Sequence, residues 1–122
     1  MRLLIVAIAL LLSGCGSPDG PASIRLINRS QVSLEDVVVK FPSVTEDYGT
    51  IAPGQATSYR TVDRAYRYAY VEATIQGQPA VLQPHDFVGE SLLGPGHYAY
   101  ALTYNNAAKS KYDRMRLELI RE

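Results

Sequence analysis

The sequence predicts an all-β fold: a single antiparallel β-sandwich of about seven strands behind a short N-terminal leader. Three observations lead there. Apolar and polar side chains alternate with period two through a series of short segments. Gly, Pro and Asn cluster between those segments, where turns need them. No stretch after residue 22 carries the 3.6-residue period of an amphipathic helix.

The chain opens with Met1-Arg2, then an unbroken apolar run from Leu3 to Leu12, then Ser13-Gly14-Cys15. A membrane-spanning helix needs about 20 apolar residues, so this run is too short to be one. It has the length and flanks of a secretory signal, with small residues before the cut. Residues 1–14 are therefore expected to be removed on export. The next segment, Gly16-Ser17-Pro18-Asp19-Gly20-Pro21-Ala22, is rich in Gly and Pro without hydrophobic pattern and reads as a flexible linker. Residues 23–122 form the folded domain.

Seven strands are expected in that domain. Ser23–Asn28 is short and apolar-rich. Leu34–Phe41 contains Val37-Val38-Val39 and suits a buried strand. Ala56–Val62 alternates weakly. Tyr66–Ile75 alternates clearly, with Ala69, Val71, Ala73 and Ile75 opposite Tyr66, Tyr68, Tyr70, Glu72 and Thr74. Ala80–Gln83 is short. His97–Tyr104 turns Tyr98, Tyr100, Leu102 and Tyr104 to one side. Arg114–Ile120 turns Met115, Leu117 and Leu119 to one side. Gln76-Gly77-Gln78 is expected to be a tight hairpin. The polar run Asn105–Lys111 is the loop before the last strand. Ile51-Ala52-Pro53-Gly54 and Leu93-Gly94-Pro95-Gly96 both place Pro then Gly before a strand, as a type II turn requires.

Composition excludes some functions. Removing Arg2 with the leader leaves eleven basic and twelve acidic side chains, so no field is present to attract nucleic acid. Cys15 is the chain's one cysteine. The domain has no disulfide and must hold together by its core, in a compartment where exported proteins often use disulfides.

Leu12-Ser13-Gly14-Cys15 resembles the bacterial lipobox, a Leu and two small residues before Cys. The resemblance implies a diacylglycerol thioether on Cys15, cleavage before it, and an acyl chain such as palmitate on the new amine. Two or more chains hold a protein stably to a bilayer, whereas one holds it reversibly. The implied home is the cell envelope. In enteric-type lipoproteins Asp after the Cys retains the protein in the inner membrane. Gly16 stands there instead, which implies the outer membrane, facing the periplasm, if the host is Gram-negative. The run Leu93-Gly94-Pro95-Gly96-His97-Tyr98 resembles the apolar-x-Pro-Gly-x-Tyr strand start of immunoglobulin-like and prealbumin-like bacterial modules. It implies a sandwich and no activity.

Tyrosine is the unusual residue: nine Tyr stand against two Phe and no Trp. Tyr66, Tyr68 and Tyr70 are the candidate binding face, because Tyr offers a flat apolar body and a polar tip. The side carrying Tyr98, Tyr100 and Tyr104 also carries Leu102, which points it toward the core. Were the two segments neighbours in one sheet, the six rings would form a ladder.

Chemistry-bearing residues are sparse. His85, Asp86, Glu90 and His97 fall in one stretch but match no known metal-ligand spacing. Ser91 has no Gly-x-Ser-x-Gly elbow, and adjacent His85-Asp86 point apart rather than orient one another. Glu46-Asp47 and Asp63 read as solvated loop acids rather than a calcium site. Phe87 and Val88 are expected to plug the sandwich beside a turn at Gly89. Asn28-Arg29-Ser30 matches the glycosylation pattern, which a bacterial lipoprotein makes irrelevant. The expectation is thus an envelope lipoprotein acting as a non-catalytic binding or adaptor module, with no cofactor beyond the lipid on Cys15. Its partners would be the membrane, through the anchor, and an envelope protein or glycan. The alternatives are an assembly accessory of an envelope complex, and a metal-binding or hydrolytic protein using the His85–His97 region.

Overall fold

A computed structural model describes residues 20–84 and 91–122. The leader, Cys15 and the linker through Asp19 lie outside the described residues, as do His85, Asp86, Phe87, Val88, Gly89 and Glu90. Eight strands make two four-stranded sheets packed as a sandwich. They are β1 (Ala22–Asn28), β2 (Leu34–Lys40), β3 (Thr45–Ile51), β4 (Arg60–Val62), β5 (Tyr70–Ile75), β6 (Gln78–Leu82), β7 (Gly96–Tyr104) and β8 (Met115–Arg121), with a short 3-10 turn, Lys111–Asp113, before β8. One sheet has the order β4-β1-β7-β8 and the other β3-β2-β5-β6.

The alternation in the sequence becomes the two faces of the strands. In β1, Ala22, Ile24, Leu26 and Asn28 point inward. In β5, Val71, Ala73 and Ile75 are buried while Tyr70, Glu72 and Thr74 are half-exposed, as their spacing requires. Tyr98, Tyr100 and Leu102 of β7 enter the core, and Met115 of β8 meets them there. Gln76 and Gly77, with φ of +52° and +79°, close the β5–β6 hairpin as the two central residues of a type I′ turn.

Four features depart from the sequence expectation. First, β1 and β7 run parallel, from Ala22 beside Gly96 to Asn28 beside Leu102, while every other named strand pair is antiparallel. Second, β3 is an additional strand. Its Glu46, Asp47 and Gly49 are poor strand formers, and Asp47 Oδ1 accepts from the Gly49 amide at 2.9 Å as it would in a loop. Third, the strand expected over Ala56–Val62 is reduced to Arg60–Val62 plus a single bridge from Ala56 to Ile27. Between them the Thr57 hydroxyl, not a carbonyl, accepts from the Leu26 amide at 3.0 Å. Fourth, the strand expected over Tyr66–Ile75 begins at Tyr70.

A β-bulge explains why β2 does not alternate. Leu34 and Val37 are three residues apart and both fully buried, which a regular strand forbids. The register shifts between them, and Asp36 takes the left-handed conformation at φ +50°. The extra residue restores Val37 and Val39 to the core.

The two Pro-Gly turns differ. Gly54 at φ +74°, with the Gln55 amide donating to Ala52 O at 3.0 Å, completes a type II turn. Gly96 instead has φ +149° and already belongs to β7. The Tyr98 ring packs against it, and Tyr98 Oη donates to Gly94 O at 2.9 Å. A tyrosine near a strand start bonding back a few residues upstream is the tyrosine corner of Greek-key sandwiches.

Among the described residues Asn28 is the buried polar residue of the core, at 0% exposure. Its Nδ2 donates to Val32 O at 2.8 Å and Ile51 O at 2.9 Å, and its Oδ1 accepts from the Ser30 amide at 2.8 Å. The folded domain therefore has no free Asn28 amide to glycosylate.

Two outcomes follow for stability. Val71 is fully buried opposite Val39, so Val71→Asp places an unpaired charge in the core and abolishes the thermal unfolding transition, whereas Glu72→Ala melts like the parent. Asn28→Ala removes three hydrogen bonds and strips the partner from two carbonyls, at a cost of about 3 kcal/mol in denaturant unfolding.

Candidate functional site

The connection from β4 to β5 passes from one sheet to the other at one end of the sandwich. Two hydrogen bonds from elsewhere in the chain pin it: Leu93 N to Ala65 O at 2.8 Å, and Tyr100 Oη to Tyr66 O at 2.5 Å. Tyr100 in turn stacks on Phe41, the residue after β2, with ring centroids 6.2 Å apart. The Phe41 amide donates to Val44 O at 2.8 Å and so closes the turn into β3. Register then brings Lys40 beside Tyr70 across the β2–β5 pair.

These constraints enclose a cleft of about 270 Å³ lined by Lys40, Phe41, Pro42, Tyr66, Tyr68, Ala69 and Tyr70. The three tyrosines chosen from the sequence thus share one site. They do so for a different reason from the one expected. Only Tyr70 lies on a strand; Tyr66 and Tyr68 reach the cleft from the connecting loop. The six-ring ladder is not formed, because β5 and β7 belong to different sheets. Tyr98 and Tyr100 are buried in the core, and Tyr104 packs partly against it.

Charge is placed at the mouth of the cleft. Lys40 Nζ lies 4.7 Å from the Tyr70 ring centroid and 4.0 Å from Glu72 Oε2, while Tyr70 Oη donates to the same Glu72 oxygen at 3.0 Å. Partial burial, then the Glu72 carboxylate, raises the Tyr70 pKa. Tyr68 also borders a shallow groove against Arg67 and the edge of β8 from Leu117 to Arg121. Lys40, Phe41 and Pro42 escaped the sequence reading. Nothing in the chain order shows that the end of β2 meets a loop more than twenty residues on.

The residues considered for catalysis or metal binding do not assemble among the described residues. His97 is exposed, its ring set edge-on to Tyr59 at 4.8 Å, and Ser91 is exposed. Glu46 pairs with Arg60 at 2.9 Å, and Asp63 is exposed. No group of three or more His, Cys, Asp or Glu able to hold a metal occurs among the described residues. One polar cluster that the sequence did not reveal lies on the outer face of the β4-β1-β7-β8 sheet. Arg25 holds Glu122 through two hydrogen bonds, and Tyr59 Oη donates to Glu122 Oε1 at 2.7 Å. Arg25, and then Tyr59, keep the Glu122 carboxyl below its ordinary range.

No family model and no curated protein matches this chain. Among solved structures, the fold is similar to that of a protein from Eubacterium rectale determined by NMR. The two share 13% identity and a TM-score of 0.52, over 88% of this chain and 94% of that one. Identity that low shows the fold alone.

The core tyrosines carry a pH signature. Burial pushes both Tyr48 and Tyr100 well above the ordinary tyrosine value of 10.0. A raised folded-state pKa means their contribution to stability is complete below pH ~10 and lost as pH rises beyond it. In an alkaline titration followed by phenolate absorbance and circular dichroism, these two rings ionise only as the fold melts. Ionisation of every tyrosine near pH 10 with the fold intact would contradict their burial.

Proposed function

We propose that the protein is a lipid-anchored module of the cell envelope that recognises a constituent of that envelope through the Tyr66–Tyr68–Tyr70 cleft and performs no chemistry itself. The observation that carries this reading is the convergence of three half-buried tyrosines with Lys40, Phe41 and Pro42 around one open cleft. The buried core is formed by Val71, Ala73, Ile75 and the residues facing them, and the three rings lie outside it. Flat apolar rings with polar tips, edged by an ammonium, suit recognition more than catalysis. The anchor rests on Leu12-Ser13-Gly14-Cys15, which supplies the only thiol in the chain. The linker after Cys15 is short, so the module works close to the membrane surface.

Two substitutions test it together. Cys15→Ser should abolish fatty-acid labelling and release the protein from the membrane fraction. Tyr66→Ala combined with Tyr68→Ala should leave the melting midpoint within a few degrees of the parent, since neither ring belongs to the buried core. The same pair should lose the envelope constituent that the parent retains on an affinity matrix. A midpoint lowered by many degrees would make the rings structural, and unchanged retention would place recognition elsewhere.

A further inference from the structure

The cleft lies at the end of the sandwich where the linker enters. Ala22, the first residue of β1, pairs with Val62 and with Gly96, so the end of β4 and the start of β7 share its level. β2 begins at the far end of β1 and returns, which brings Lys40 back toward the linker, paired with Thr45 and Tyr70. The 63–69 connection leaves Val62 and joins Tyr70 at that same end. The far end carries the Pro53-Gly54 turn, the Gln76-Gly77 hairpin and the 105–110 loop.

From these placements we propose that the tether end of the domain docks on the phospholipid headgroups of the membrane that anchors it, with the tyrosine cleft and its cationic rim as the contact. The inference rests on the lipid anchor proposed above and names the ligand of the same cleft. Tether length is the first argument. The six residues from Gly16 to Pro21, ahead of β1, reach at most about 21 Å when fully extended. A strand as long as β7, nine residues, spans ~30 Å, so the far end can meet the bilayer only if the domain turns over. The tether end is always within reach.

Chemistry is the second argument. Tyr66, Tyr68 and Tyr70 offer rings of the amphipathic kind that settle at the headgroup level. Beside them Val44 is an exposed large apolar side chain at 39% exposure, next to exposed Pro42. Arg64 and Arg67 are exposed on the same connection, and neither takes part in the ion pairs found among the described residues. Among the described residues of this connection Asp63 is the exposed acid, and Glu72 is engaged by Tyr70 and Lys40. Basic side chains held within a Debye length, about 8 Å, of an anionic leaflet are attracted to it.

The test uses the full lipidated chain in vesicles of phosphatidylethanolamine with a minority of phosphatidylglycerol. Lipid consumes the Cys15 thiol, so a dye on one introduced cysteine reports one place. Pro42→Cys and Arg67→Cys mark the tether end, and Gln31→Cys and Asn106→Cys mark the far end. A nitroxide on the headgroups should quench the first pair several-fold more than the second. Combining Pro42→Cys with Tyr66→Ala and Tyr68→Ala should bring its quenching down toward the far-end level. Equal quenching at both ends, or stronger quenching at the far end, overturns the inference while leaving the anchor intact. Tether-end labels that escape the nitroxide in vesicles but cross-link to an envelope protein in native membranes assign the cleft to that protein and also overturn it. A parent chain that takes up no fatty acid removes the anchor itself, a failure read before any quenching is measured.

Discussion

Asn28 ties together two stretches of the chain that no disulfide joins, the β1–β2 corner and the end of β3 with the turn that follows it. Its side chain reaches Val32 O in the β1–β2 connection and Ile51 O at the end of β3, and its backbone exchanges hydrogen bonds with Gly54 and Gln55. β1 and β3 belong to different sheets, so this residue fixes how far one sheet slides over the other at the far end of the sandwich. A domain without disulfides needs such ties, because apolar contact is non-directional and tolerates sliding. Every polar atom of the Asn28 side chain is used, so burial leaves no group unsatisfied. The remaining buried side-chain N and O atoms among the described residues are likewise paired.

Tyrosine performs the same task elsewhere in the core. Tyr48, from one sheet, crosses to donate to Ile24 O of the other at 3.1 Å. Tyr100 reaches the 63–69 connection between the sheets at Tyr66 O, and Tyr98 closes its corner on Gly94 O. Each ring supplies apolar volume in the middle and a directed hydrogen bond at the tip. The abundance of tyrosine in the sequence is therefore divided between two uses. Tyr48 and Tyr100 tie together segments far apart in the chain, and Tyr98 closes a local corner. Tyr66, Tyr68 and Tyr70 are half-buried and line the cleft. The two sets meet at Tyr66, whose carbonyl is held by Tyr100 while its ring lines the cleft. The position of the cleft is thus set by the core beneath it.

Much of the fold was legible in the chain, since period-two alternation states which side chains share a face whatever the strand pairs with. Val71, Ala73 and Ile75 inward, Gln76-Gly77 as a hairpin, Pro53-Gly54 as a type II turn, and Leu93 to Tyr98 as a sandwich strand start were all local properties. β3 was not legible, because Glu46, Asp47 and Gly49 favour loops and are held extended only by pairing with β2. Nor was the bulge at Asp36, which is visible in the sequence only as broken alternation.

The sequence by itself determined the sandwich, the faces of its regular strands, the Gln76-Gly77 hairpin and the Pro53-Gly54 turn. Those features depend on residues within a few positions of one another. Tertiary structure alone decided that β1 and β7 run parallel, that Asn28 is buried, and that Lys40, Phe41 and Pro42 complete the cleft. It also separated β5 from β7, so that one set of rings faces outward and the other fills the core. These outcomes depend on which segments meet across long stretches of chain, and a local pattern cannot encode that, because the same alternating strand pairs equally well with several neighbours.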